Sequence, residues 1–228
     1  MQAPDFAEIG PPALEHKDLL FLFEHFPVPG VDPATAAQQV IEQPSTLESL
    51  LESSYVYRAM SADQRAWLDI SPKLYFNVTL RRALRGQRSR DERRTIHYLA
   101  NLLSLFVRTE RLYRVAGDEE TSYEYLSDLV AAAAVSDARR RFLIHAHIGN
   151  YGLFLAGVCQ DWLEHRRRFK RRPLSLDYYR DMARAHYARV AGDRLSQDYG
   201  LKEVFTQLAG RFEYYRAGLV EVGHQRTH

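Results

Sequence analysis

Apolar residues recur along this chain at intervals of three and four, which is the period of an α-helix. In the segment 92–112 the apolar positions include Ile96, Leu99, Leu103 and Phe106, and the segment 201–220 repeats this spacing. Neither segment alternates apolar and polar residues, and the chain has no Asn-Gly or Asp-Gly pair of the kind that closes β-hairpins. The pattern therefore predicts an all-α protein.

Residues that favour the start or the end of a helix lie between the apolar segments. Predicted capping boxes pair Ser45 with Glu48, Ser61 with Gln64 and Ser89 with Glu92; other predicted starts are Asp32-Pro33, Ser71-Pro72, Ser136, Ser175 and Ser196. Predicted stops are Gly86, Gly117, Pro173 and Gly192. These signals predict about eight to ten helices, with four or five long ones from residue 72 onward that form a helical bundle.

The N-terminal segment has a different composition, because most of the chain's nine prolines lie before residue 45. We expect residues 1–30 to form an irregular, proline-rich arm with a short helix over 13–25. The helix is expected to pack on the bundle through Leu19, Leu20, Phe23 and Phe26. Residues 31–222 are predicted to be a single helical domain, and residues 223–228 a flexible tail.

The segment 137–158 is apolar nearly all round after its first turn, which is typical of a buried central helix. At 100° per residue, Arg141 and His145 share one side of this helix. His147 lies about 160° away from His145 in the same geometry. The two histidines are therefore not expected to bind one metal ion together.

Glycines at 149 and 152 interrupt this helix, where each costs roughly 1 kcal/mol relative to alanine. One explanation is the close approach of a neighbouring helix. The alternative is a buried pocket for a small ligand or a metal, lined by His145, Gly149, Tyr151 and Gly152.

Overall composition is that of an ordinary globular protein, with 46% hydrophobic and 26% charged residues. The single cysteine, Cys159, excludes an intrachain disulfide and is expected to be an inert, partly buried thiol. The N-terminus lacks the features of a secretory signal, and no apolar run is long enough to span a membrane. We therefore expect a cytoplasmic protein without membrane association.

Charge is unevenly distributed along the chain. Residues 1–60 carry nine acidic against two basic residues, a net charge of −7, whereas 81–94 and 165–172 carry net charges of +5 and +6. The basic segments either pair with acidic residues inside the fold or face an anionic partner. Candidate contacts for a protein or polyanion such as nucleic acid are Arg81, Arg82, Arg85, Arg88, Arg166, Arg167, Arg168, Lys170, Arg171, Arg172, Tyr178 and Tyr179.

Arginine followed after four to six residues by histidine, on a helix of an all-helical protein, resembles the ribonuclease motif of HEPN domains. Arg140 with His145 and Arg141 with His147 fit this spacing. The resemblance implies metal-independent RNA cleavage at a site completed across a homodimer. Such pairs also arise by chance in a chain so rich in arginine.

Metal-binding and cofactor motifs are not evident. Glu221 and His224 form the one Glu-x-x-His unit, where a di-iron bundle needs two on facing helices. The chain has no phosphate-binding glycine loop and no dinucleotide fingerprint. We therefore predict no cofactor and no metal.

Several segments together, SPKLYFNVTLRRAL, IHYLANLLSLF, HIGNYGLFLAGV and RRPLSLDYYRDMARAHYARVA, resemble a family of uncharacterised bacterial helical proteins. The resemblance covers about residues 70–192 and is most specific over 149–157. It implies a bacterial, cytosolic, mostly α-helical protein and no particular activity. The leading hypothesis is therefore a helical binding or regulatory protein; the alternatives are the ribonuclease and the buried pocket.

Overall fold

A computed structural model describes residues 3–25, 44–62, 69–86, 89–169 and 174–225 of the chain. These residues form thirteen α-helices and one 3₁₀ helix and contain no strand, which confirms the all-α class. The number of helices exceeds the predicted eight to ten, partly because two of them have only five residues.

Numbered along the chain, the helices are α1 His16–His25, α2 Pro44–Leu51, α3 Ser54–Ala62, α4 Pro72–Ala83, α5 Arg90–Phe106, α6 Thr109–Tyr113, α7 Leu126–Val135, α8 Ala138–Ala156, α9 Gln160–Phe169, α10 Leu176–Ala191, α11 Arg194–Asp198, α12 Lys202–Gly210 and α13 Phe212–His224; the 3₁₀ helix is Asp5–Ala7. No helix among the described ranges combines the length and apolar character needed to cross a membrane.

Three predicted helix starts are confirmed by side-chain capping. Ser89 and Glu92 form the reciprocal capping box at the start of α5. Ser71 accepts a hydrogen bond from the Leu74 amide and precedes the first-turn proline of α4. Ser175 caps α10 in the same way.

Four other predicted starts are wrong. Ser45 lies inside α2, which begins one residue earlier, and Ser61 lies near the end of α3, where its hydroxyl donates to the Tyr57 carbonyl. Ser136 and Ser196 are displaced as caps by aspartates, Asp137 for α8 and Asp193 for α11. The predicted signals at Asp32-Pro33 and Pro173 lie outside the described residues.

The centre of the bundle is the contact between α8 and α10. A β-carbon added at Gly149 would lie 2.8 Å from Cε1 of Tyr187. One added at Gly152 would lie 2.9 Å from Cβ of Ala183 and equally close to the Tyr179 carbonyl oxygen. The packing explanation for these two glycines is therefore confirmed, because α10 fills the space that a side chain would need.

Polar groups join three helices inside this core. The Asn150 side-chain oxygen on α8 accepts hydrogen bonds from the hydroxyls of Tyr98 on α5, at 2.7 Å, and of Tyr187 on α10, at 2.9 Å. Both tyrosines are fully buried and Asn150 nearly so. The hydroxyls thus enter an apolar interior without losing their hydrogen bonds.

The short helix predicted over 13–25 is present as α1, and polar contacts that the composition does not predict hold the N-terminal arm in place. Asp5, in the 3₁₀ helix, accepts a two-pronged ion pair from buried Arg111, with the closer distance being 2.7 Å. In α1, Asp18 is fully buried and accepts hydrogen bonds from the amide and hydroxyl of Ser71. Residues 3–25 are therefore fixed to the bundle by specific polar contacts.

The apolar face predicted for the arm is partly wrong. Leu19 and Phe23 are buried as expected, but Leu20 is 44% exposed, and Phe21 and Leu22 are buried instead. They belong to a second apolar core formed with α2, α3 and the first half of α4. The predicted contact at Phe26 lies outside the described residues.

The predicted flexible tail also begins too early. Helix α13 continues to His224. A β-carbon added at Gly223 would lie 2.7 Å from the Val158 carbonyl oxygen, so this end of α13 packs tightly against the segment after α8.

Candidate functional site

Arg81, the first residue of the predicted basic face, is buried and does not lie on such a face. Its guanidinium donates to a Glu48 carboxylate oxygen at 2.9 Å and to the Asn77 side-chain oxygen at 2.7 Å. His97 donates to the other Glu48 oxygen at 2.5 Å. Arg81 therefore links α2 to the bundle and is not available to an external polyanion.

Electrostatics fixes the charge states in this buried group. Burial raises the pKa of Glu48, but the hydrogen bond from His97 and the charge of Arg81 outweigh burial and hold this pKa at about 2. Burial lowers the pKa of His97, although Glu48 acts in the opposite direction. At neutral pH the group is thus an ion pair with a neutral imidazole beside it.

The rest of the predicted basic face is only partly described. Arg82 and Arg85 are exposed at the end of α4, and Arg82 lies 5.2 Å above the ring of Tyr57. Arg88, Lys170, Arg171 and Arg172 lie outside the described residues, as do the side chains of Arg166, Arg167 and Arg168.

Tyr178 and Tyr179 are partly buried at the start of α10 and contact each other edge to face at 5.5 Å. Both pack against the main apolar core. This placement is typical of tyrosines that bury their rings at the boundary of the core and expose their hydroxyls.

Two members of the predicted ribonuclease motif have structural roles. Arg140 forms an ion pair with Glu119 and contacts the Tyr123 hydroxyl at 3.3 Å. His147 is 2% exposed and donates from Nε2 to the Leu112 carbonyl oxygen at 3.1 Å. Burial lowers the pKa of His147 to about 3, so this ring is neutral at pH 7. The buried ring is not accessible to an RNA substrate.

The other two members, Arg141 and His145, lie on the opposite side of α8, as the helical angles predict. The ring of His145 contacts that of His186 on α10, with 4.8 Å between ring centroids. Arg141 on α8 and Arg189 on α10 are both exposed and close enough to act electrostatically on His145. We call Arg141, His145, His186 and Arg189 the histidine–arginine cluster.

Both imidazoles of the cluster are held neutral. Burial, followed by the charges of Arg189 and Arg141, lowers the pKa of His145, while Asp193 acts in the opposite direction. Burial, followed by His145 and Arg189, lowers the pKa of His186 to about 4. Two arginines beside two histidines create a local excess of positive charge that disfavours protonation of either ring.

The inner ring nitrogens of the cluster have no hydrogen-bond partner among the described residues. Nδ1 of His145 and Nδ1 of His186 are both buried and unpaired. A buried unpaired acceptor is tolerated better than a buried unpaired N–H, which favours the tautomer with the proton on Nε2. In that tautomer each imidazole offers one N–H donor beside the two guanidinium groups, a combination that suits an anion.

The buried pocket predicted from His145, Gly149, Tyr151 and Gly152 is not present as one site. Tyr187 and Ala183 occupy the space beside the glycines. Tyr151 lies on the other side of α8, where its ring is parallel to that of His147 at 6.2 Å. Across the described ranges, no three His, Cys, Asp or Glu side chains are grouped to hold a metal ion.

His186 and Arg189 were not singled out from the sequence as partners of His145. The available signal was weak: small residues at 149 and 152 predict close approach of another helix, and α10 offers alanines at 183, 185 and 188. Such matching small residues indicate a close helix pair without showing which polar side chains flank it.

Comparison with known proteins adds no relative: the chain matches no family model, no curated protein and no solved structure. The fold and the site define the chain as an all-α bundle with a histidine–arginine cluster between two central helices, α8 and α10.

Proposed function

We propose that this chain is a cytosolic helical binding protein whose ligand carries phosphate groups and binds at the histidine–arginine cluster. The observation that supports the proposal is the contact of two neutral imidazoles, His145 and His186, beside two exposed arginines, Arg141 and Arg189. Guanidinium groups fork onto phosphate oxygens, and imidazole N–H groups supply further donors. An anion also offsets the positive charge of the two arginines, Arg141 and Arg189, beside the neutral rings.

The ion pairs elsewhere on the surface favour this cluster over a wide basic face. Arg180 and Arg216 both pair with Glu213, and Arg211 pairs with Glu92. Neither arginine of the cluster has an acidic partner at salt-bridge distance among the described residues. A longer polyanion would contact Arg82 and Arg85 only if it spans from the histidine–arginine cluster to the end of α4.

Binding of a short, labelled, single-stranded RNA, followed by fluorescence anisotropy, tests the proposal. We expect affinity to fall steeply with salt, and Arg189→Gln to weaken binding several-fold and reduce the log–log salt slope by roughly 0.7. Arg184→Gln is the matched control, because Arg184 is an exposed arginine on the same helix. Competition with pyrophosphate shows whether a small phosphate ligand or RNA is preferred; binding of neither overturns the proposal.

Affinity for RNA should also depend on pH. Because a bound phosphate raises the pKa of His186 from its value of about 4, binding is linked to proton uptake. We therefore expect tighter binding as pH falls from 8 towards 5, a range in which phosphodiesters do not titrate. His186→Gln should flatten this dependence, and an equally steep profile in that variant contradicts the role of His186.

A second candidate function is RNA cleavage, favoured by the presence of two neutral imidazoles beside arginine. A neutral imidazole can act as a general base, and the arginines can hold the phosphodiester. Wild-type protein should then cleave RNA in the presence of a chelator, and His145→Ala should abolish cleavage without unfolding the chain. RNA binding without cleavage contradicts this second function and supports binding only.

A further inference from the structure

A half-open cleft of about 430 Å³ lies where α8 ends, α9 begins and α13 ends. This volume is within the range of small-molecule sites. The cleft is distinct from the histidine–arginine cluster, because none of the four cluster residues contributes to its wall. Inferences about it do not depend on the proposed phosphate site.

Aromatic side chains make up much of the wall. The rings of Tyr113 and Tyr151 lie 6.4 Å apart at 58° to each other. Phe154 and Trp162 add two further rings, and the Trp162 side chain is among the most exposed apolar groups of the described chain at 49%. Aromatic faces carry negative electrostatic potential, which attracts organic cations.

The acidic side chain of the wall has the same preference. Asp161 is the one acidic residue that lines the cleft, and its carboxylate lies 3.3 Å from Nε2 of His224. The C-terminal ends of α8 and α13, at Gly157 and Gly223, also reach the cleft. Helix C-termini carry partial negative charge. The N-terminus of α9 carries partial positive charge, which Asp161 in the first turn of α9 offsets.

We propose that this cleft binds a small organic cation with an apolar body, such as a substituted ammonium group. The rings of Tyr113, Tyr151 and Trp162 contact the apolar and cationic surface, and Asp161 supplies the counter-charge at the rim. A neutral molecule of the same size gains only the apolar contact, and an anion is opposed by both the rings and Asp161.

Isothermal titration calorimetry with benzyltrimethylammonium tests this proposal, with benzyl alcohol and benzoate as neutral and anionic counterparts. We expect the cation to bind at least threefold more tightly than the alcohol and at least tenfold more tightly than benzoate. Asp161→Asn should weaken cation binding roughly two- to fivefold, as expected for an exposed charge pair. Trp162→Leu, which keeps apolar bulk but removes the ring, should have an effect of similar size.

Two controls make the test specific. Asp198→Asn removes an exposed carboxylate on α11, away from the cleft, and should leave affinity unchanged. Cys159 lines the cleft and is the chain's single cysteine, so bound cation should slow its alkylation by N-ethylmaleimide, measured by mass spectrometry. Equal affinity for cation and alcohol, or cation binding that neither variant weakens and that leaves alkylation unchanged, overturns the proposal.

Discussion

Single residues determine how closely the two central helices of this bundle approach. Gly149 lies against the Tyr187 ring, and Gly152 against Ala183 and the α10 backbone. Tyr187 is fully buried and its hydroxyl also donates to Asn150, which fixes the end of the ring. A side chain added at 149 therefore meets a ring that cannot be displaced without losing a hydrogen bond.

We predict that Gly149→Ala lowers the free energy of unfolding by about 1–3 kcal/mol, the usual cost of overfilling a packed core. Urea unfolding followed by circular dichroism measures the change. Gly210→Ala is the matched control: it lies at the end of α12, with nothing within 4 Å of an added β-carbon. That variant should be neutral or slightly stabilising, and an equal loss in both variants would contradict the packing argument.

The two histidines of α8 show what the sequence can predict at this scale. Helical angles placed His145 and His147 on opposite sides, and the structure confirms it: His145 faces α10 and His147 faces the Leu112 carbonyl. Their partners could not be predicted, because His186 is 41 positions away from His145 in the sequence and the apolar period does not show which helices are neighbours in space. Likewise, the count of basic residues gave no sign that Arg81 is buried.

At the scale of elements, α2 is joined to the bundle by the buried ion pair of Glu48 with Arg81. Ser45 and Glu48 have the spacing of a capping box, yet Glu48 instead binds Arg81 and His97 across the interface between the two apolar cores. A local signal was overridden by a distant charge, because a buried guanidinium without a partner costs more than a missing cap.

Replacing Glu48 by glutamine should therefore uncouple the N-terminal helices from the rest. We expect a loss of about 3–5 kcal/mol, since Arg81 is left as a buried, uncompensated charge. Hydrogen exchange should become faster in α1 to α3, while α8 and α10 stay protected. Glu110→Gln removes the exposed pair with Arg114 and should cost less than about 0.5 kcal/mol; similar effects from both variants would show that the buried pair is not special.

At the scale of the whole molecule, buried histidines make stability depend on pH. The pKa of His147 is lowered to about 3 and that of His186 to about 4, and the pKa values of His97 and His145 are lowered too. The unfolded chain binds protons at these sites below about pH 6.5, whereas the folded chain does not. Stability is therefore complete above pH 6.5 and decreases as pH falls towards the folded-state values.

Between pH 6.5 and its folded-state pKa of about 3, neutral, buried His147 should contribute about 1.4 kcal/mol of destabilisation per pH unit, and the other three histidines act in the same direction. We predict that the free energy of unfolding, measured in urea, falls by several kcal/mol between pH 7 and pH 5. His147→Gln, which keeps a donor for the Leu112 carbonyl, should remove roughly 2 kcal/mol of that loss. His16→Gln changes an exposed histidine and serves as control; stability that is flat over this range would contradict the burial of these rings.

The same scale separates what sequence patterns predict from what they do not. Period and caps predicted the all-α class and the starts of α4, α5 and α10. For the arm they predicted the short helix, present as α1, but not its attachment, because Asp5 and Asp18 bind Arg111 and Ser71 from distant parts of the chain. Composition describes what a segment prefers alone, and tertiary hydrogen bonds decide what it does in the fold.

The hydrogen bonds that meet at Asn150 have a consequence for how uniquely the helices are aligned. Apolar surfaces tolerate a helix that slides, because one leucine can replace another in contact. A shift of α5, α8 or α10 by one residue moves it 1.5 Å and turns it 100°, which separates Asn150 from the hydroxyls of Tyr98 or Tyr187. Each stranded hydroxyl would cost about 1–3 kcal/mol, so this one amide selects a single register for three helices.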